Sequence, residues 1–164
     1  MAVSKNENLS ASLEDYLEAI FNLTGASKPA HSKDIAETLG VSRASVTGAL
    51  RSLKEKGLVN YKPYDCVSLT ETGRLAAADV VRKHNILKSF FINVLGVQAD
   101  IAHTAACKAE HALGPAIITR LLCLIDFVTE EGKNGYDLVG RFQRFCEDNL
   151  HEYRHETGKK QKVT

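Results

Sequence analysis

Residues 32–57 read S-K-D-I-A-E-T-L-G-V-S-R-A-S-V-T-G-A-L-R-S-L-K-E-K-G, two amphipathic helical runs separated only by Gly40-Val41. In the first run Ile35, Ala36 and Leu39 share one face, with Ser32 as the expected N-cap and Gly40 as the stop. In the second, Val46, Ala49, Leu50 and Leu53 make the apolar face, Ser42 caps the start and Gly57 closes the end. Helix, tight glycine-containing turn, helix is the helix-turn-helix pattern. The runs L-V-N-Y-K and C-V-S-L-T follow, alternating in polarity around Pro63-Tyr64-Asp65, and read as a two-stranded hairpin. A further helix precedes the pair, from Ser12 as N-cap to about Thr24, with Leu13, Leu17, Ile20 and Phe21 on its apolar side and Gly25 beyond. Three helices and a hairpin in this order make a winged helix-turn-helix.

The outward face of the second helix of the pair carries Ser42, Arg43, Ala44, Ser45, Thr47, Gly48 and Arg51. Small hydroxylic residues and arginines suit close approach to DNA: short side chains let a helix sit deep in the major groove, and backbone N–H groups meet phosphates. Lys62 adds charge at the hairpin, with Lys54 and Lys56 nearby. The whole chain has a formal net charge of only +1, so attraction to nucleic acid has to come from these local groups.

The rest of the chain reads as helical. Thr70 caps a long helix from about Glu71 to Leu95 whose stripe of Ala77, Val80, Leu87 and Phe91 includes His84. Past Gly96, the stretch I-A-H-T-A-A-C-K-A-E-H-A-L from Ile101 to Leu113 places His103, Cys107, Glu110 and His111 within an arc of roughly 100° on a helix. A thiol, a carboxylate and two imidazoles on one stripe are a donor set for a divalent transition metal. His84 becomes a ligand candidate because that second half of a site exists. A strongly apolar helix from Pro115 to about Val128 follows, then a loop over Glu130–Gly135 and a last amphipathic helix from Tyr136 to about Tyr153. So much apolar surface in a small helical region predicts a homodimer interface. The expected organisation is a DNA-binding domain over 1–72, an all-helical metal-binding and dimerisation domain over 73–152, and a disordered tail over 153–164.

The four cysteines are widely spaced, without a C-x-x-C pair, which suits reduced thiols. The first residues lack an apolar signal core and no run approaches the ~18 apolar residues of a membrane span. A cytoplasmic protein without membrane attachment is the expectation. Two rival readings remain open: a winged-helix regulator that senses an organic ligand, and a zinc hydrolase built on Cys107, Glu110 and His111, although no H-E-x-x-H is present. His151 and His155 at i, i+4 are a minor candidate for an extra metal site.

Together, L-E-D-Y-L-E-A-I-F-N-L, D-I-A-E-T-L-G-V-S-R-A-S-V-T, G-L-V-N-Y, L-T-E-T-G, R-K-H-N-I-L and A-C-K-A-E-H resemble the diphtheria toxin repressor and manganese transport regulator family of metal-dependent transcription factors. The resemblance covers about residues 9–128. It implies a homodimeric regulator, a repressor of metal-uptake genes, that binds palindromic operator DNA when loaded with Fe²⁺ or Mn²⁺. By motif, Asp15 and Glu18 match the first-helix ligand positions of manganese-type members, and His84 matches the long-helix histidine. Cys107, Glu110 and His111 match the ligand triplet. Cysteine at position 107 is the iron-type choice, whereas Asp15 is the manganese-type one. His103 resembles an ancillary-site histidine of the iron type, but Lys88 stands where that site has a carboxylate. The thiolate brings Zn²⁺ and Co²⁺ in as alternatives, with one or two ions per subunit. The resemblance is to the two-domain form of the family, so the SH3-like third domain of the longer members is not expected.

Overall fold

The computed structural model describes residues 9–25, 29–62 and 66–160, with side chains described as far as Asn149. Among the described residues, seven α-helices and one hairpin follow in the order α1 (Ala11–Thr24), α2 (Ser32–Leu39), α3 (Arg43–Glu55), β1 (Val59–Asn60), β2 (Ser68–Leu69), α4 (Glu71–Ser89), a π-helical segment (Phe90–Val94), α5 (Ala99–Ala109), α6 (Pro115–Lys133) and α7 (Leu138–Lys160). This is a mostly helical chain with an N-terminal winged helix-turn-helix followed by an all-helical region. Contacts divide it into two compact units, Met1–Lys83 and His84–Thr164. The division falls inside α4, ten residues or so past the expected boundary at 72, because Ala76 and Ala77 near the start of α4 pack into the first core.

In the first unit Leu17 and Ile20 of α1, Ile35 of α2 and Val46, Leu50 and Leu53 of α3 are fully buried against one another. Each such side chain contributes roughly 1.5–3 kcal/mol relative to exposure. Gly40 ends α2 in the left-handed conformation at φ 64°, which turns the chain straight into Ser42, the N-cap of α3. Val59 pairs with Leu69 and Asn60 with Ser68 in the antiparallel hairpin. A bridge between Ala30 and Val67 ties its second strand to the α1–α2 connection. The hairpin tip expected at Pro63-Tyr64-Asp65 lies outside the described residues. At the other end of the hairpin, the Thr70 hydroxyl donates to the Gly57 carbonyl at 2.7 Å and accepts from the Gly73 N–H at 3.0 Å, so one side chain closes the hairpin and caps α4.

The second unit has a smaller core of Ile86, Leu87, Ala106 and Ile118, with Phe91, Leu121 and Ile125 packed against it. Ile101, Ile117, Leu124, Phe127, Phe142 and Phe145 remain exposed. No helix among the described residues is long and apolar enough to cross a membrane.

Several boundaries differ from expectation. Ser10, not Ser12, caps α1, its hydroxyl accepting from the Leu13 N–H. His31, not Ser32, occupies the N-cap of α2 and Ser32 is the first helical residue; the Asp34 carboxylate accepts from the His31 N–H, so the helix starts one residue earlier than expected. The long helix changes to π geometry at Phe90, where a run of bulky residues, F-F-I-N-V, crowds the tighter α turn, and the Gln143 amide donates to the Val94 carbonyl at 3.4 Å. The loop expected over Glu130–Gly135 shortens because α6 continues to Lys133, helped by the Lys133–Glu130 ion pair at 2.7 Å. Residues 153–160 of the expected tail continue α7, and 161–164 lie outside the described residues.

Candidate metal centre

His84 lies on the buried stripe of α4, one turn after Val80 and just before Leu87, and is itself only 6% exposed. On α5, His103 and Cys107 stand one turn apart. The α-helix then ends at Ala109, so Glu110 and His111 sit in the closing turn rather than within the helix as expected. Glu110 keeps helical dihedrals (φ −61°, ψ −31°), which preserves the i, i+3 relation to Cys107.

Glu110 is 1% exposed. A buried carboxylate is costly unless hydrogen-bonded or paired. The His84 Nδ1–H donates to its Oε2 at 2.7 Å, and His111 Nε2 lies 3.5 Å from its Oε1. In the neutral tautomer that donates Nδ1–H to a carboxylate, the lone pair of His84 is on Nε2. It faces His103 Nδ1 at 3.1 Å, the two rings edge to face with centroids 4.9 Å apart. Cys107 Sγ is 3.7 Å from His84 Nδ1 and 3.9 Å from His103 Nε2. One donor atom from each of His84, His103 and Cys107 lies within 4.8 Å of those of the other two. Two imidazoles, a thiol and a buried carboxylate so close together form a set that fits a divalent transition ion.

The structure therefore brings together His84, His103, Cys107, Glu110 and His111, all in the second unit. Asp15 and Glu18 belong to the first unit, both half-buried on α1 one turn apart, beside a Glu14 that is 8% exposed and that reading the sequence did not single out. Its position next to Leu13 on the rim of the apolar arc was the available signal. The side chains of His151 and His155 lie outside the described residues.

The residues expected to meet DNA sit on α3 and beside the hairpin. Ser42 is the N-cap, with its hydroxyl accepting from the Ser45 N–H at 3.1 Å. Arg43, Ala44, Ser45, Gly48 and Arg51 are exposed and Thr47 is half-buried, its hydroxyl donating to the Arg43 carbonyl at 2.9 Å. Lys62 is exposed just past β1.

Two sequence profiles match in tandem. The iron dependent repressor N-terminal DNA binding domain covers residues 8–67, and the iron dependent repressor metal binding and dimerisation domain covers residues 70–137. A helix-turn-helix transcriptional regulator of Methanocaldococcus jannaschii is 37% identical over 69% of this chain and 91% of its own length. The transcriptional regulator MntR of Bacillus subtilis is 30% identical over 77% of this chain and 89% of its own. The chain belongs to the diphtheria toxin repressor and manganese transport regulator family. It is a transcriptional regulator with a metal-binding domain, and the hydrolase reading falls. Among solved structures, a manganese-dependent transcriptional repressor in complex with manganese is 32% identical, with a TM-score of 0.62 over 76% of this chain. This regulator spans about half the length of that repressor, 53% of its chain.

Proposed function

We propose that this regulator binds palindromic operator DNA as a homodimer when loaded with Fe²⁺ or Mn²⁺, and represses genes of metal uptake. The observation that carries the reading is the buried Glu110 carboxylate, hydrogen-bonded to His84 with His103, Cys107 and His111 around it, inside the segment that matches a metal-binding domain. The manganese-bound relative supports a manganese-type ion; the thiol of Cys107 favours Fe²⁺, since sulfur donors suit softer ions. We lean to Fe²⁺.

Glu110, His111, His84 and Cys107 would hold the ion from the second unit, and Asp15 and Glu18 would join them from the first, as the resemblance implies. Bound there, a divalent cation supplies the positive charge that offsets three carboxylates and an ionisable thiol. Without it, those groups repel and disfavour the arrangement in which they converge. In the reading the resemblance implies, a metal-loaded homodimer would present its two α3 helices to half-sites about 34–36 Å apart or a multiple of that. A tenfold preference for the ordered arrangement shifts the balance by about 1.4 kcal/mol per site.

On α3, the hydroxyls of Ser42 and Thr47 are engaged within the helix. Base edges and phosphates therefore fall to the guanidinium groups of Arg43 and Arg51, with Ala44, Ser45 and Gly48 permitting close approach and Lys62 meeting the backbone. The exposed apolar residues of α5, α6 and α7 support self-association. Fluorescence anisotropy on a palindromic duplex from the regulator's own upstream region, run at fixed salt with Mn²⁺, Fe²⁺ and chelator, tests the reading. Tight binding with Fe²⁺ or Mn²⁺ and its loss in chelator are expected; equal binding in both would overturn it in favour of an organic effector.

A further inference from the structure

We infer that the outward face of α5 is a self-complementary seam, on which the same helix of a second copy of this chain packs antiparallel with Asp100 of each opposite Lys108 of the other. The inference rests on the proposed homodimer and deepens it by naming the residues that set its register.

Asp100, Ile101, Thr104, Ala105 and Lys108 fall within an arc of about 140° on α5 and line a groove of about 420 Å³. Ile101 is 55% exposed. One exposed isoleucine is ordinary; the side chains that frame this one give it a partner. The Thr104 hydroxyl donates to the Asp100 carbonyl at 3.0 Å, so Thr104 offers a neighbour its methyl group, and Ala105 adds no bulk. Two helices in contact through such residues approach to about 8 Å, the short end of the usual range. Asp100 lies in the first turn of α5 and Lys108 in the last. Eight residues set them about 12 Å apart along the axis, too far to pair within one helix. A two-fold axis through Thr104 reverses one α5 against the other and brings each Asp100 beside the partner's Lys108. The symmetry repeats every contact, so one acid and one base per chain give two ion pairs across the seam. A parallel arrangement would set acid against acid and base against base, so the charges select the antiparallel one. Stable interfaces bury about 1,200–2,000 Å², more than this face supplies, so the seam fixes register and orientation within a larger contact. The same two charges also complement the dipole of α5, and the experiment separates the two roles.

The test is sedimentation velocity on the full chain at low, fixed salt, which reads the dissociation constant of the dimer. Asp100→Lys and Lys108→Asp each turn two attractions into two repulsions and are expected to weaken the dimer about tenfold or more. The double variant Asp100→Lys/Lys108→Asp pairs opposite charges again and is expected to return to within about threefold of the wild type. It also opposes the helix dipole at both ends, so its recovery is not a gain in the stability of α5. Ile101→Asp is expected to weaken the dimer more than either single reversal. Circular dichroism checks that each variant is folded. Folded single reversals with an unchanged dimer, or a double variant no better than the singles, would overturn the seam and leave the homodimer reading standing. A wild type that stays monomeric would overturn both.

Discussion

Glu110 is almost wholly buried, with His84 donating to one carboxylate oxygen and His111 3.5 Å from the other. Glu110→Ala and His111→Ala are expected to abolish metal-stimulated operator binding while leaving the far-ultraviolet circular dichroism unchanged. Full metal stimulation in either variant would remove that residue from the centre. Gly73 illustrates a different constraint. A Cβ at this position would overlap the backbone carbonyl of Leu58, and backbone yields less readily than a flexible side chain. Gly73→Ala is expected to cost about 1–3 kcal/mol, and a drop of about 2–4 °C in Tm for each kcal/mol should appear in calorimetry. An unchanged Tm would show that the hairpin–α4 junction can relax.

The wing is only two residues long on each strand, and its stability comes from its attachments. Leu58 accepts from the Thr70 N–H at 3.0 Å, Ala30 accepts from the Val67 N–H at 2.8 Å, and the Thr70 hydroxyl spans Gly57 and Gly73. Thr70→Ala removes the hydroxyl from both bonds and is expected to destabilise the first unit by about 1–2 kcal/mol, measured by urea unfolding. The α3 helix divides its labour: Val46, Ala49, Leu50 and Leu53 hold it in place, and the exposed arginines are left available. Arg43→Ala is expected to weaken DNA binding and to lower the slope of log affinity against log salt by about one phosphate contact, with metal affinity by calorimetry unchanged. Loss of metal binding in that variant would contradict the assignment.

Binding of a cation to the folded chain alone must stabilise it by linkage. At a metal concentration about 100 times the dissociation constant the gain is about 2.7 kcal/mol per site, so thermal unfolding should shift upward with Co²⁺ or Mn²⁺ and return on chelation. A melting curve indifferent to metal would argue against any site in the folded state. The small core of the second unit and the exposed apolar residues of α5, α6 and α7 lead to a further expectation. Sedimentation should report a dimer, because specific stable interfaces need about 1,200–2,000 Å² of buried surface and this unit has apolar side chains to contribute. A monomer at micromolar concentration would refute the self-association proposal.

Local pattern was enough for the helices, the turn and the hairpin. Gly40, the caps at Ser42 and Thr70, and the spacing of Val46, Ala49, Leu50 and Leu53 act over a few residues, so their consequences are written in the order of the chain. The same reasoning puts His103 and Cys107 one turn apart on a helix, while Glu110 falls in the turn that closes it, and a likeness of motifs identifies the family that the tandem profiles then show. Helix ends were less legible: the Val94 carbonyl at the end of the π segment meets Gln143, 49 residues away, and α6 runs on through residues that look like a loop. Tertiary structure alone decided that His84, 19 and 26 residues from its partners, meets His103 and Glu110, and which of its nitrogens faces each. Periodicity assigns a side chain to a face, but only packing between α4 and the α5 turn sets hydrogen-bond direction, and with it the lone pair that a metal ion could use.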